Sequence, residues 1–108
     1  MRSQSRERNM SVALVTIRKG GTREAMIAAT RKLKTVAEKN GAEGLVISQI
    51  MVGPDTGQWV IRIGFTDWEA FGKSMQATST DPTAHAALAG LDAISEVVSR
   101  RVLASVDL

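Results

Sequence analysis

The order in which strand-like and helix-like apolar patterns follow one another is the feature that most constrains the fold. Four segments are rich in β-branched residues or alternate between apolar and polar side chains, which is typical of strands. Between them, apolar residues recur every three or four positions, which predicts helices that pack by one face. The predicted strands cover residues 11–19, 45–52, 58–66 and 97–106, and the predicted helices follow Thr22, Thr66 and Asp81. The order is β-α-β-β-α-β, with the second helix in two pieces.

This order predicts an α+β, ferredoxin-like fold, in which a four-stranded antiparallel sheet carries its helices on one face. The predicted strand over residues 58–66 alternates clearly, with Trp59, Ile61, Ile63 and Phe65 on one face. The sheet is partly apolar on both faces, although two helices cover only one of them. Because a large uncovered apolar patch usually marks an interface, we expect a homodimer formed through the other sheet face.

The second helical region contains two start signals. Thr66 and Glu69 form a T-x-x-E capping box, and Trp68, Phe71 and Met75 continue it as an apolar stripe. The pattern fails at residues 78–80, and Asp81-Pro82 restarts a helix as N-cap and first residue. Since the residue before a proline avoids the α region, a break is expected. Residues 76–81 then either gate a cavity or form a kink that follows the sheet twist.

The size and charge of the chain limit its partners. Its 108 residues suit one domain, which we place at residues 11–108, after a polar segment over residues 1–10 that is expected to be a disordered extension. Arg2, Arg6 and Arg8 against Glu7 give the first nine residues a net charge of +2, and the remainder, with eleven basic and ten acidic residues, carries +1. A nearly neutral body does not suit nucleic-acid binding.

The remaining composition excludes further classes of function. There is no cysteine, which excludes disulfides, thiolate catalysis and cysteine zinc sites. No apolar run approaches the length of a membrane span, and no secretory signal segment is recognised, so a cytoplasmic location without membrane contact is expected. No cluster of metal ligands is present. Gly20 and Gly21 lie between a strand and a helix but lack a phosphate-binding pattern, and they predict a tight turn.

Two passages carry a resemblance to a known group of proteins. The strand-to-helix passage GFTDWEAFGKSM, over residues 64–75, and the second start TDPTAH, over residues 80–85, follow the element order described above. In these features residues 11–106 resemble the dimeric α/β-barrel superfamily. Within it, they resemble the antibiotic-biosynthesis-monooxygenase-like group. The resemblance implies two ferredoxin-like sheets packed face to face in a dimer. The superfamily includes cofactor-free monooxygenases, haem-degrading enzymes, isomerases, lyases and proteins without assigned activity.

Two specific functions within this fold are disfavoured by missing residues. Haem-degrading relatives combine an Asn on the first strand with a Trp and a His on the second helix. Trp68 and His85 could match the latter two, but residues 11–19 contain no Asn. The RNA-recognition fold shares the element order and needs exposed aromatic residues on its first and third strands. Residues 11–19 contain no aromatic residue, so no nucleic-acid partner is expected. Because the strand Asn is missing, haem is not predicted, and no other cofactor is predicted either.

His85 is the only histidine and the first candidate for catalysis. Its imidazole is the one side chain in the sequence with an ordinary pKa near neutrality, which suits a general base in proton abstraction or cofactor-free oxygenation. It lies near the start of the second helical piece, at the edge of the apolar stripe. The alternative is a histidine on the helix surface.

Arg62 is the second candidate because a guanidinium in a central strand needs a partner. If Trp59 and Phe65 face the helices, Arg62 lies on the dimer face. Its expected companions, which would make a ligand-binding pocket for an anion, are Thr16, Arg18, Ser48 or Gln49, and Arg100. Trp68 is included among the ligand-binding residues. The alternative is an intersubunit ion pair with Glu43 or Asp107.

These candidates lead to two hypotheses about function. One is a cofactor-free monooxygenase, isomerase or lyase that uses His85 or Arg62 on a small carbonyl or carboxylate compound. The other is a small-ligand-binding or stress-related domain without chemistry. The two differ in whether His85 and Arg62 line the same cavity.

Overall fold

A computed structural model describes residues 11–108 of the chain. The expected disordered extension over residues 1–10 lies outside the described residues. The strands are β1 (Val12–Lys19), β2 (Gly44–Gln49), β3 (Trp59–Phe65) and β4 (Glu96–Ala104). The helices are α1 (Arg23–Lys39), α2 (Trp68–Ser79) and α3 (Pro82–Ile94). No helix in this part of the chain is long and apolar enough to cross a membrane.

The strands form a four-stranded antiparallel sheet in the order β2-β3-β1-β4, which confirms the predicted ferredoxin-like α+β fold. The two central strands, β1 and β3, pair in a register that sets Thr16 opposite Ile61 and Val15 opposite Arg62. Because alternate residues of a strand face opposite sides of a sheet, this register fixes which side chains share a face. The helices cover the face that carries Ile61, and we call the other face, which carries Arg62, the open face.

The core lies between the helices and the sheet face that they cover. From β3 it takes the predicted stripe Trp59, Ile61, Ile63 and Phe65, and from the helices it takes Met26, Leu33, Val36, Ala84, Ala87 and Leu91. Trp59 lies with its indole nitrogen donating a hydrogen bond to the Gly20 carbonyl oxygen at 3.1 Å. The period of two in β3 and the three-to-four-residue spacing in α1 and α3 thus place these residues as the sequence predicts.

The turn from β1 into α1 explains the glycine pair. Gly20 and Gly21 have φ angles of +92° and +82°. A Cβ atom at position 21 would lie 2.8 Å from the Met26 sulfur, so the buried Met26 side chain would have to shift. Thr22 then caps α1 by accepting a hydrogen bond from the Ala25 amide at 3.2 Å. The tight turn that the sequence indicates is required both by the backbone and by the packing of Met26.

Strand β2 is shorter than its apolar run indicates. It ends at Gln49, whereas the pattern predicts a strand to residue 52. Ile50 still exchanges backbone hydrogen bonds with Gln58 and Gly57, but Met51 and Val52 lie exposed in the hairpin loop. The glycine-rich turn that follows them leads the chain into β3. The apolar run in the sequence therefore extends past the residues that pair in the sheet.

Helix α2 differs from its prediction at both ends. Its N-cap is Asp67, which accepts a hydrogen bond from the Ala70 amide at 2.8 Å, so the capping box that starts at Thr66 is wrong by one residue. The Thr66 carbonyl accepts the Ser11 hydroxyl instead. The helix continues to Ser79, past the expected failure at residues 78–80, and the break is confined to Thr80 and Asp81. Asp81 and Pro82 start α3 as predicted.

Candidate functional site

A cavity of about 150 Å³ lies between the helices and the sheet. Its walls are mostly apolar and come from both layers: Leu14, Ile61, Ile63 and Phe65 from the sheet, Leu33, Val36 and Ala37 from α1, Met75 from α2, and Ala84 and Leu88 from α3. A cavity of this volume accommodates a molecule of about one aromatic ring. The ferredoxin-like arrangement therefore leaves a space between its layers that is large enough for a small apolar molecule.

The polar groups of the cavity come from two sheet strands and from α2. Thr16 and Arg18 are alternate residues of β1, and Arg100 of β4 lies directly opposite Thr16 in the register of the two strands. Ser74 and Thr78 lie one turn apart on α2 and line the opposite side. Because cross-strand neighbours share a face, two arginines and a hydroxyl line the same cavity.

Arg18 is the buried charge among these groups, with 2% of its side chain exposed. Its Nη1 donates hydrogen bonds to Asp92 Oδ1 at 2.9 Å and to Ser95 Oγ at 3.2 Å. Ser95 in turn donates to the Leu91 carbonyl oxygen at 2.7 Å, so the end of α3 holds the arginine. A buried guanidinium without a partner would be very costly, and Asp92 supplies the partner.

The charge around the cavity is positive in balance. Asp92 compensates Arg18, whereas Arg100 makes no ion pair within residues 11–108. No carboxylate or imidazole in this part of the chain lines the cavity. The arrangement can hold a carboxylate or another anionic oxygen and favour its ionised form, since an adjacent cation lowers the pKa of an acid. It offers no side chain of the type that usually serves as a general base.

Arg62 does not share a cavity with most of its expected companions. It lies on the open face and is exposed, with Val15 and Val46 as its direct cross-strand neighbours. The expected grouping with Thr16, Arg18, Gln49 and Arg100 is wrong, because the register places these residues on the helix-covered face. Of the expected companions, only Ser48 shares the face of Arg62, through its pairing with Val60.

The expected combination of His85 with Arg62 is also wrong as a shared site. His85 is exposed on α3, in the helix layer, while Arg62 lies on the face of the sheet that the helices do not cover. The neighbours of His85 on α3, Ala84 and Leu88, turn toward the cavity, but His85 does not line it. Because an α-helix advances 100° per residue, one position separates a buried face from solvent.

The two remaining ligand-binding candidates also lie outside the cavity. Trp68 is 59% exposed at the start of α2, where its ring meets Phe71 edge to face at 5.9 Å between centroids. The stripe predicted for α2 is therefore wrong at Trp68, and the buried residue of this helix is Ser74. Gln49 ends β2 and donates a hydrogen bond to the Gly57 carbonyl oxygen at 3.2 Å, which ties the hairpin together.

Sequence analysis missed the residues that hold Arg18 and the residues of α2 that line the cavity. Asp92 and Ser95 hold Arg18 across 74 and 77 positions of the chain, so no local spacing connects them. Ser74 and Thr78 are separated by four residues on α2, and that helical spacing is the one signal that could have marked them. Neither residue is apolar, so the search for an apolar stripe passed over them, although both lie on the same helix face as Met75.

Comparisons with known proteins identify the fold and do not identify an activity. No protein-family model and no curated protein matches the sequence. Among solved structures, SnoaB from Streptomyces nogalater, a cofactor-independent oxygenase, matches with a TM-score of 0.70 and 13% identity over 90% of this chain and 94% of SnoaB. A proposed antibiotic biosynthesis monooxygenase from Chloroflexus aurantiacus matches with a TM-score of 0.62 and 18% identity over 89% of this chain and 93% of its own.

A third solved structure is a dimeric protein of unknown function with a ferredoxin-like fold from Bacteroides fragilis. It matches with a TM-score of 0.52 and 16% identity over 85% of this chain and 91% of its own. Each match extends over most of both chains. At these low sequence identities the matches show a shared fold and do not show a shared activity. The chain has the ferredoxin-like fold that these solved structures share.

Proposed function

We propose that this protein binds a small, largely apolar molecule with an acidic oxygen in the cavity between its sheet and its helices. The observation that carries the proposal is the meeting of Arg18, Arg100 and Thr16 on one side of a cavity whose other walls are apolar. Apolar walls favour a ring or short chain, and a few convergent polar groups fix its orientation. The ligand class is a small carbonyl or carboxylate compound.

The same geometry supports a cofactor-free oxygenase, isomerase or lyase as the catalytic form of this function. Arginines beside a bound carbonyl oxygen stabilise the enolate that forms when a neighbouring carbon loses its proton. In an oxygenase, such a carbanion would react with molecular oxygen, and the net change converts a CH₂ group and O₂ into a carbonyl group and water. This chemistry would suit a substrate that is itself acidic, because no described carboxylate or imidazole lines the cavity.

We also propose a homodimer formed through the open face. Val46 and Leu103 are 55% and 46% exposed there, and strand β4 exposes further apolar side chains along the edge of the sheet. A second copy would cover this surface and place Arg62 in the interface, where Glu43 or Asp107 of the other copy could pair with it. This arrangement leaves the cavity on the far side of the sheet from the interface.

The first prediction concerns occupation of the cavity. Thr78→Trp should place an indole in the cavity from α2, while Ala77→Trp adds the same indole at an exposed position of the same turn. We expect thermal shift and calorimetry to detect binding of one-ring compounds such as benzoate or salicylate to the wild type and to Ala77→Trp. Thr78→Trp should weaken that binding about tenfold or more, since the ligand must displace the ring.

Equal binding by both variants would contradict the proposal, because the ligand would then lie outside the cavity. Cooperative thermal unfolding of each variant establishes that it is folded. An oxygen electrode then separates catalysis from binding, with a one-ring compound that carries an acidic CH₂ group beside a carbonyl: oxygen consumption by wild type without added cofactor, lost in Thr78→Trp, supports the oxygenase, and no consumption by wild type contradicts it.

A further inference from the structure

The way in which Arg18 is held determines what it can bind. An arginine side chain carries N–H donors on Nε, Nη1 and Nη2. In Arg18 both contacts to the protein use Nη1, toward Asp92 Oδ1 at 2.9 Å and Ser95 Oγ at 3.2 Å. Two acceptors satisfy the two hydrogens of Nη1, so the Nε and Nη2 edge of the guanidinium remains available.

The residue that carries this edge lines the cavity. Within residues 11–108 neither Nε nor Nη2 of Arg18 donates a hydrogen bond to a protein oxygen. Arg18 lines the cavity, and Nε and Nη2 are the nitrogens of its guanidinium that no protein acceptor occupies.

The Nε–Nη2 edge presents two parallel N–H bonds whose spacing matches the two oxygens of a carboxylate. A single oxygen or a neutral amide uses this edge less completely. Arg18 lies 98% buried by residue exposure, so an ion pair formed there would be shielded from water and screened little by salt. Arg100 adds a second positive charge on the same side of the cavity.

We infer that the cavity selects a one-ring carboxylate, which Arg18 binds through two hydrogen bonds, and that Asp92 and Ser95 are positioning residues that hold Arg18 for this task. The inference rests on the proposed ligand-binding function and narrows it to one ligand class. Asp92 acts through its oxygen as an anchor, since its charge by itself opposes binding of an anion. Anchor and charge thus have opposite effects, and substitutions can separate them.

The experiment compares benzoate with benzamide, its neutral counterpart of nearly the same shape, by calorimetry. For the wild type we expect benzoate to bind about tenfold more tightly or better, as is typical of hydrogen bonds to charged groups. Asp92→Asn keeps an oxygen acceptor for Nη1 and removes the charge, so the preference for benzoate should be kept or increased. Asp92→Ala removes the anchor as well, and the preference should fall toward equality.

Two further variants complete the comparison, one as a control and one as a second test of how Arg18 is held. Glu96→Ala removes an exposed carboxylate at the start of β4, opposite Lys19 and without a hydrogen bond or ion pair to Arg18, and should leave the preference unchanged. Ser95→Ala removes the second acceptor of Nη1 and should reduce the preference even if Asp92→Ala does not fold. A purely structural role of Asp92 would weaken both ligands alike and leave their ratio unchanged.

The outcomes separate the inference from the function on which it rests. If the wild type binds neither compound, the proposed ligand-binding function is contradicted. If it binds both equally, the cavity is a ligand site but the carboxylate preference is wrong. If Asp92→Asn and Asp92→Ala both increase the preference, Asp92 acts only through its charge and the positioning role is overturned.

Discussion

At the scale of single residues, Asp81 joins two helices of the helix layer. It caps α3 through a hydrogen bond from the Thr83 amide to Oδ1 at 2.9 Å. Its other oxygen accepts a hydrogen bond from Asn40 at 3.1 Å and contacts Lys39 Nζ at 3.2 Å. The hydrogen bond from Asn40, together with Lys39 and the Thr83 amide, lowers the pKa of Asp81 from 3.8 to about 2. One carboxylate thus ties the end of α1 to the start of α3.

A lowered pKa makes the stability of the fold depend on pH in a defined direction. The ionised form of Asp81 is favoured in the folded state, so its contribution is present above pH 3.8 and is lost as the pH falls toward 2. Asp81→Asn keeps the cap but loses the charge. We expect its melting temperature to lie below that of the wild type at pH 6, with the difference shrinking toward pH 2.

The control for this prediction is Asp55→Asn in the β2–β3 loop. The Asp55 side chain makes no hydrogen bond or ion pair within residues 11–108, and its removal should not alter the acid part of the melting curve. A difference between Asp81→Asn and wild type that stays constant from pH 6 to pH 2 would show that the charge of Asp81 has no part in stability.

The residue scale also shows where sequence prediction ends. The alternation in β3 correctly places Arg62 on the face opposite Trp59. The sequence of β1 does not assign Arg18 to a face, because β1 is apolar at both odd and even positions and so shows no alternation between its two faces. Val12 and Ala13 are both buried, on opposite sides of the same strand. Only the register with β3 shows that Arg18 and Arg62 lie on different faces.

At the scale of elements, α2 is the part of the layer that is least anchored. Its one fully buried residue is Ser74, and its first half is fixed by the edge-to-face contact of Phe71 with Phe65 at 5.2 Å. The second half contributes Met75 and Thr78 to the cavity wall, and its last turn ends at the break before Asp81. The hypothesis that this segment gates a cavity therefore remains open, as does the alternative of a kink.

Hydrogen exchange tests the gate directly. We expect the amides of residues 76–79 to exchange faster than those of residues 72–75, because local opening of the last turn needs little apolar surface to be exposed. Benzoate should slow the exchange of residues 76–79 and leave that of residues 25–29, in the first half of α1, unchanged. Equal protection of the two halves of α2 without ligand would favour the kink.

The elements themselves were predictable where one local signal dominated. The Asp81-Pro82 start and the Thr22 cap follow from capping chemistry, and both are found. The start of α2 was misplaced by one residue because Thr66 and Asp67 are both good N-caps, and the sequence offers no way to choose. The Ser11 hydroxyl bonded to the Thr66 carbonyl belongs to the tertiary structure, and it keeps residue 66 outside the helix.

At the scale of the whole molecule, the two faces of the sheet have separate roles in this account. The helix-covered face encloses the cavity with Leu14, Ile61 and Leu88 in its walls. The open face carries Val15 and Val46 and is the proposed dimer interface. Arg18 and Arg62, which sequence analysis placed in one pocket, are divided between these roles. A ligand and a second copy of the chain should therefore affect different sets of side chains.

The most direct test of the central claim is the ¹³C-methyl spectrum of the protein during a benzoate titration and during dilution. Benzoate should shift the methyl signals of Leu14, Ile61 and Leu88 and leave those of Val15 and Val46 in place. Dilution from a dimer should shift the signals of Val15 and Val46 instead. Benzoate-induced shifts confined to Val15 and Val46, with Leu14 and Ile61 unmoved, would place the ligand on the open face and contradict the account.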